Sequence, residues 1–196
     1  MMKEVNIMDT LDRSSLNFEE KTRKAFVFLN DLGFFEVEAL PTLVRYQKGS
    51  VEVNVYHGRQ SYEIGMDITA FGTRYPISAI IRVADPEAFK HFHYTVATVS
   101  EGVIAGLEEL SLLMKRYGRK ALEGDSQFFS TLEKQQKLWA EEYALDVLTR
   151  QLRPQADESF RRKDYSAAAE LYSRIRERLS PAELKKLSLS EERRKN

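Results

Sequence analysis

Between Phe18 and Leu32 the positions Phe18, Thr22, Ala25, Phe26, Leu29 and Leu32 recur three or four residues apart, which places them on one face of an α-helix. "NFEE" in front predicts a capping box, with Asn17 accepting from the orphan amides of the first turn and Glu20 reaching back. Gly33 supplies the left-handed residue that stops such a helix. The period then drops to two. "VEVNVY" sets Val51, Val53 and Val55 on one side, and "YEIGMDI" does the same with Tyr62, Ile64, Met66 and Ile68, the alternation of half-buried strands. "FFEVEAL" and "TLVRYQ" read as strands before them, separated at Pro41, with Lys48-Gly49-Ser50 and His57-Gly58-Arg59-Gln60 as later turns. Short connections require antiparallel neighbours, so a four-stranded meander with one face against a helix is expected.

After Pro76 the pattern turns helical. Phe89, Phe92, Val96, Val99, Val103, Leu107, Leu110, Met114 and Tyr117 step by three or four, a seam opened by Asp85 as cap and Pro86 as first helical residue. Gly102 and Gly106 within it predict a kink or the close approach of a neighbour. The chain reverses around Gly118 and Gly124, and from Asp125 a second long helix carries Phe128, Leu132, Trp139, Tyr143 and Val147. Two long helices with a short connection should lie antiparallel, and Pro154 predicts a break. "SPAE" starts one more helix, with Ser180 as cap, Pro181 first and Glu183 closing the box.

These elements define an α+β protein. Residues 1–84 form a helix plus antiparallel meander, and residues 85–196 a helical region: a long α-hairpin over 85–152, then a second hairpin and capping helix over 155–196. With 196 residues, 42% of them apolar and few Gly or Pro, the chain can bury a sizeable core. Thirty basic residues balance thirty acidic ones, which argues against the broad positive field of nucleic-acid and anionic-membrane binders. From Arg150 onward there are 13 Lys/Arg against 8 Asp/Glu, so the tail is mildly basic and the body mildly acidic. Cysteine is absent, which removes disulfides, thiol nucleophiles and cysteine metal sites. "MMKEVNIMDTLDRSS" lacks the apolar core of a signal peptide, and no later stretch has the roughly 18 uninterrupted apolar residues of a membrane span. A cytoplasmic location follows as the expectation.

Residues 156–180 resemble a tetratricopeptide unit. Ala156 stands as the small residue of the first helix, Asp164-Tyr165 as the turn pair, Ala168 as the small partner and Tyr172 as the second-helix aromatic. Three positions depart from the pattern: Phe160 falls one place late, Lys163 replaces the turn glycine, and Ile175 stands where a small residue is common. The resemblance implies a unit unable to bury its apolar face alone, which should dock on the helix upstream and be solvated by the one beginning at Ser180. The order "FVFLNDLGF", "VRY", "VEVNVY" and "SYEIGMDI" resembles small uncharacterised bacterial proteins of the toxin-immunity kind, which implies an acidic sheet face that covers a basic partner.

Candidate chemistry is sparse. "HFH" at 91–93 has the look of a metal dyad, but on a helix His91 and His93 point apart, and no third ligand stands nearby. His57, in a turn beside Arg59, reads as a solvated surface group. Glu36, Glu38, Glu52, Glu63 and Asp67 occupy polar strand positions, with Arg45 among them. They read as a solvated face and are the candidate partner-binding residues. Arg161, Arg162, Lys163, Arg174, Arg176 and Arg178 are interrupted by Glu158, Glu170 and Glu177, as solvated helix charges are. Phe128, Trp139 and Tyr143 read as core. Phosphate-binding glycine loops, dinucleotide glycines, a zinc-protease His pair and a nucleophile elbow are all missing.

No catalytic, cofactor-binding or metal-binding residue is therefore assigned. The expected function is a non-enzymatic cytosolic protein-interaction module, with room for a homodimer through the 89–117 seam. The alternatives are the immunity-type partner and an enzyme or small-ligand binder with a site between sheet and helices, His57, Arg59 or His91 at its edge.

Overall fold

The computed structural model describes residues 13–194, so the opening segment read above for a leader lies almost wholly outside the description. The protein is α+β. Of the described residues, those up to Glu133 form one compact unit and those from Lys134 a second; the sequence reading drew its boundary at 84/85.

In the first unit a 3-10 turn (Arg13–Leu16) leads into α1 (Phe18–Ala25) and the short α2 (Phe28–Asp31). Strands β1 (Phe35–Leu40), β2 (Leu43–Lys48), β3 (Val51–His57), β4 (Glu63–Ala70) and β5 (Thr73–Pro76) follow as an antiparallel meander. Then come α3 (Ile77–Ala84), α4 (Pro86–Lys90), the two-residue β6 (Thr95–Val96), α5 (Ser100–Tyr117) and α6 (Arg119–Leu122). Among the described residues the sheet therefore has six strands, not four: β5 adds an edge to β4, and β6 pairs with the other end of β4 through Glu63 opposite Val96.

The alternating valines and isoleucines put Val44, Val53, Val55, Ile64, Met66 and Ile68 on one fully buried face. Helices α1, α3 and α5 pack on the sheet and on one another, bringing Phe18, Phe26, Leu29, Val103, Leu107 and Met114 out of solvent. Each such side chain contributes about 1.5–3 kcal/mol relative to exposure. The Ser111 hydroxyl on α5 donates to the Ala25 carbonyl at 2.6 Å, joining the end of α1 to α5.

Three local expectations fail here. Asn17 sits in the left-handed region at φ 46° and its side chain caps nothing; Asn tolerates that conformation, and Glu20 pairs instead with Lys24 at 2.7 Å. The single helix over 18–32 is broken at Phe26–Val27, and Leu32 stays 44% exposed, while Gly33 does take the left-handed turn at φ 85°. The seam from Phe89 to Tyr117 is not one helix either. Asp85 and Pro86 open α4 as expected, the Asp85 carboxylate accepting from the Ala88 amide at 3.0 Å, but residues 91–99 leave helical geometry. Strand pairing wins over helical periodicity because β4 offers an unpaired end. Ile64 takes Thr95 as its partner, and the Ala97 amide donates to the Tyr62 carbonyl at 2.9 Å. Val96 and Val99 are consequently exposed, whereas Val103, Leu107, Leu110 and Met114 are buried within the unit. Gly106 is the close approach expected: a Cβ there would lie 2.7 Å from Ile64 Cδ1.

Helix α7 (Ser126–Arg161) carries the chain from the first unit into the second. Within the first unit Phe129 and Leu132, with Phe128 half-buried, form its inner face, and Phe129 packs against Tyr75 and Phe71 with centroids 5.0 and 5.7 Å away. Further on, Trp139 is half-buried and Tyr143 is 71% exposed, so the expected core stripe of Phe128, Trp139 and Tyr143 does not form. Pro154 does not break the helix. It removes one backbone hydrogen bond, and the burial of Leu152 and Ala156 on either side offsets that loss.

The second unit continues with α8 (Tyr165–Arg174), a 3-10 turn (Arg176–Arg178) and α9 (Pro181–Arg193). Its core is small: Ala156, Ala168, Ala169, Tyr172 and Leu187 cluster, flanked by Phe160, Leu171 and Leu179, and Leu152 and Ile175 are buried as well. Asp164 caps α8 by accepting from the Ala167 amide, and Lys163 before it adopts φ 65°, the conformation a turn glycine would supply. Ser180, Pro181 and Glu183 form the expected capping box. Polar groups complete the packing. Asp157 accepts from Tyr172 Oη and Lys186 Nζ, both at 2.5 Å, and Arg153 pairs with Glu183 at 2.9 Å.

Candidate functional site

The first unit's sheet has a second face, built by the residues that alternate with the core. Register places Glu38, Arg45, Asn54 and Asp67 in one row across β1 to β4, with Pro76 of β5 beyond them. A neighbouring row holds Phe35, Gln47, Glu52, Thr69 and Arg74, and another Leu40, Leu43, Tyr56 and Gly65.

The charged groups in these rows form a chain of contacts. Arg45 pairs with Glu38 at 3.2 Å and with Glu52 at 3.6 Å, and its Nε donates to Asn54 Oδ1 at 3.1 Å. Asn54 Nδ2 donates to Asp67 Oδ1 at 2.9 Å, and the other Asp67 oxygen is held by Arg74. The middle of this ladder, Asn54 and Asp67, is buried, and the ends are wet: Arg45 and Glu38 side chains are 37% exposed and Arg74 63%. A carboxylate taken out of water needs such partners, and the amide and guanidinium supply them.

Of the five carboxylates expected together, the structure gathers Glu38, Glu52 and Asp67 in the ladder and puts Glu63 on the same face of β4. Glu36 is not with them. A register shift between Glu36 and Glu38 gives β1 an extra residue, so Glu36 lies opposite Tyr46 on the core side, where Arg23 of α1 holds it at 2.8 Å. That guanidinium keeps the Glu36 carboxyl below the usual carboxylate range. The face is therefore of mixed sign, because Arg45 and Arg74 interleave the carboxylates.

Aromatic groups border the ladder. The Tyr56 ring lies over Gly65, where a Cβ would come within 2.5 Å of it, and the Arg74 guanidinium stands 5.7 Å from its centroid. Burial, with Tyr94, Asp67 and Glu63 nearby, pushes the Tyr56 phenol up to about 12. Tyr94 is also raised by burial, while its hydroxyl donates to Ser78 at 3.1 Å. Neither phenol is tuned toward a proton transfer at neutral pH. The apolar members of β1 border the other edge: Phe35 is 58% exposed and Leu40 43%.

The histidines fall elsewhere. His57, expected in solvent, is buried on the core side, because its place at the end of β3 keeps the parity of Val51, Val53 and Val55. Its Nε2 donates to the Ala97 carbonyl at 2.8 Å and its ring stacks on Phe18, centroids 5.9 Å apart. Burial lowers its pKa, opposed by the Ala97 hydrogen bond and reinforced by the Arg13 cation. His91 caps the end of α4, and His91 and His93 are both exposed. Among the described residues no group of three His, Asp or Glu is arranged to hold a metal ion, and no helix is long and apolar enough to cross a membrane. In the second unit Arg161 and Arg162 pair with Glu158, and Arg178 with Asp146.

Sequence reasoning missed "KRYGRK", residues 115–120. Among the described residues Lys115, Arg116 and Lys120 form no ion pair, whereas Arg119 pairs with Glu123 at 2.9 Å. The run of like charge around Tyr117-Gly118 was the available signal. The chain matches no protein-family model, no curated protein and no solved structure at a significant level.

Proposed function

We propose that this chain is a non-enzymatic protein-interaction module, and that the second sheet face of the first unit is its docking surface. The observation that carries the reading is the ladder from Glu38 through Arg45, Asn54 and Asp67 to Arg74. Its buried middle fixes the side chains, so a partner meets a preformed pattern of alternating charge and loses less entropy on docking. Exposed Phe35 and Leu40 at its edge supply apolar area of the kind that contributes most at interfaces. Glu38, Glu52, Glu63 and Asp67 outnumber Arg45 and Arg74, so the face keeps a net acidic charge, which supports an immunity-type fit to a basic partner as the second reading.

We read the carboxyl-terminal hairpin as tetratricopeptide-like. The support is the meeting of Ala156 and Ala168 in one buried cluster with Tyr172, and the left-handed Lys163 before the Asp164 cap. Affinity capture from the native host with wild-type protein and with the Phe35→Asp/Leu40→Asp variant tests the docking face. A partner retained by wild type and by Leu184→Asp, in the second unit, should be lost from the sheet variant. Equal retention by both variants overturns the assignment of the face.

A further inference from the structure

On the side of the first unit formed by α2, α5 and α6, a cleft of about 390 Å³ opens, within the range of small-ligand sites. Its floor and walls are Phe28, Leu32, Met114 and Leu122. Met114 and Leu122 are buried, and Leu32 is 44% exposed on the wall. Apolar area of this sort, left open, gains by accepting an apolar body.

The rim is cationic. Lys48 and Lys115 line it, and neither forms an ion pair among the described residues. Both ammoniums stand over aromatic rings: that of Lys115 is 4.7 Å from the Phe28 centroid and that of Lys48 is 5.7 Å from the Phe34 centroid. The ammoniums are thus held near the apolar wall instead of extending freely into water. Arg119 also reaches the rim, balanced by Glu123. Asp31 is the remaining charge, so the two lysines exceed it by one positive charge.

We propose that this cleft binds a small amphipathic monoanion, a carboxylate carrying an apolar tail. The tail lies against Phe28, Leu32, Met114 and Leu122, and the carboxylate accepts from Lys48 and Lys115. Charge decides the sign of the ligand and the apolar floor decides that it has a tail; a free inorganic anion would satisfy only the rim. The site is separate from the sheet face, so either assignment can fail alone.

The test is an NMR titration of the full chain with decanoate and, in parallel, with decyltrimethylammonium. Decanoate should give saturable shifts at amides of α2 and of residues 114–122, and the cation none there. The double variant Lys48→Gln/Lys115→Gln, at two exposed positions, should weaken decanoate tenfold or more. Leu32→Glu, which places a like charge on the apolar wall, should abolish binding while thermal unfolding stays at the wild-type temperature. The proposal is overturned by no saturable response at these amides up to about 1 mM decanoate. Equal response to the cation, shifts centred elsewhere, or unchanged affinity in the double variant overturn it too.

Discussion

The two compact units are held by different physics. In the first, large side chains from distant parts of the chain meet: Phe18 from α1 and Phe26 just after it, Ile64 and Met66 from β4, and Leu107 and Met114 from α5, all fully buried. In the second, three alanines are buried with one tyrosine, one isoleucine and two leucines, and ion pairs between neighbouring helices surround them. Apolar area dominates the first, and close backbone approach with a polar shell the second. The first should therefore suffer most from removal of volume and the second from its addition.

Leu107→Ala is the largest expected effect. It should lower the stability of the first unit by about 2–5 kcal/mol, visible by native-state hydrogen exchange as lost protection in β3, β4 and α5. Ala168→Leu should cost the second unit about 1–3 kcal/mol, read from the amides of α8 and α9. If both variants loosen both units equally, the contrast fails.

Acid separates the units more gently. His57 has its pKa lowered by burial, so its stabilising contribution is complete above the ordinary histidine value. That contribution is lost as pH falls through about 6.5 toward the folded value. Asp157 is lowered by its hydrogen bonds from Lys186 and Tyr172, so its contribution persists to the carboxylate range, about pH 4, and is lost only below it. Amide exchange followed against pH should thus show the first unit loosening earlier on acidification, and His57→Gln should remove that early onset. A common onset for both units would sink the distinction.

The smallest effect sharpens the contrast at one backbone angle. Lys163 sits at φ 65°, and Lys163→Gly should stabilise the second unit by about 0.5–1 kcal/mol, with thermal unfolding as the measure.

Much of this architecture is legible in the sequence because the signals are local. The alternation of Val51, Val53 and Val55 and of Ile64, Met66 and Ile68 places two strands and their buried face. Asp85-Pro86 and Ser180-Pro181-Glu183 place two helix starts. What escaped depends on tertiary competition. Residues 91–99 fit a helical period yet serve β4, since an open strand end outweighs a weak helical seam. Pro154 signals a break that packing on both sides overrides. The site was half legible: alternation puts Glu38, Glu52, Glu63 and Asp67 on one face, but the extra residue in β1 that moves Glu36 away has no signature in "FFEVEAL". Nor does polarity alone reveal that Arg45 and Arg74 pair with these carboxylates, because that depends on which strands become neighbours.

The ring of Tyr56 over Gly65 ties two positions of this surface together. A methyl group at position 65 would collide with the ring at 2.5 Å. A side chain at 65 therefore requires the tip of the Tyr56 ring to swing aside, and a smaller residue at 56 would lift that requirement.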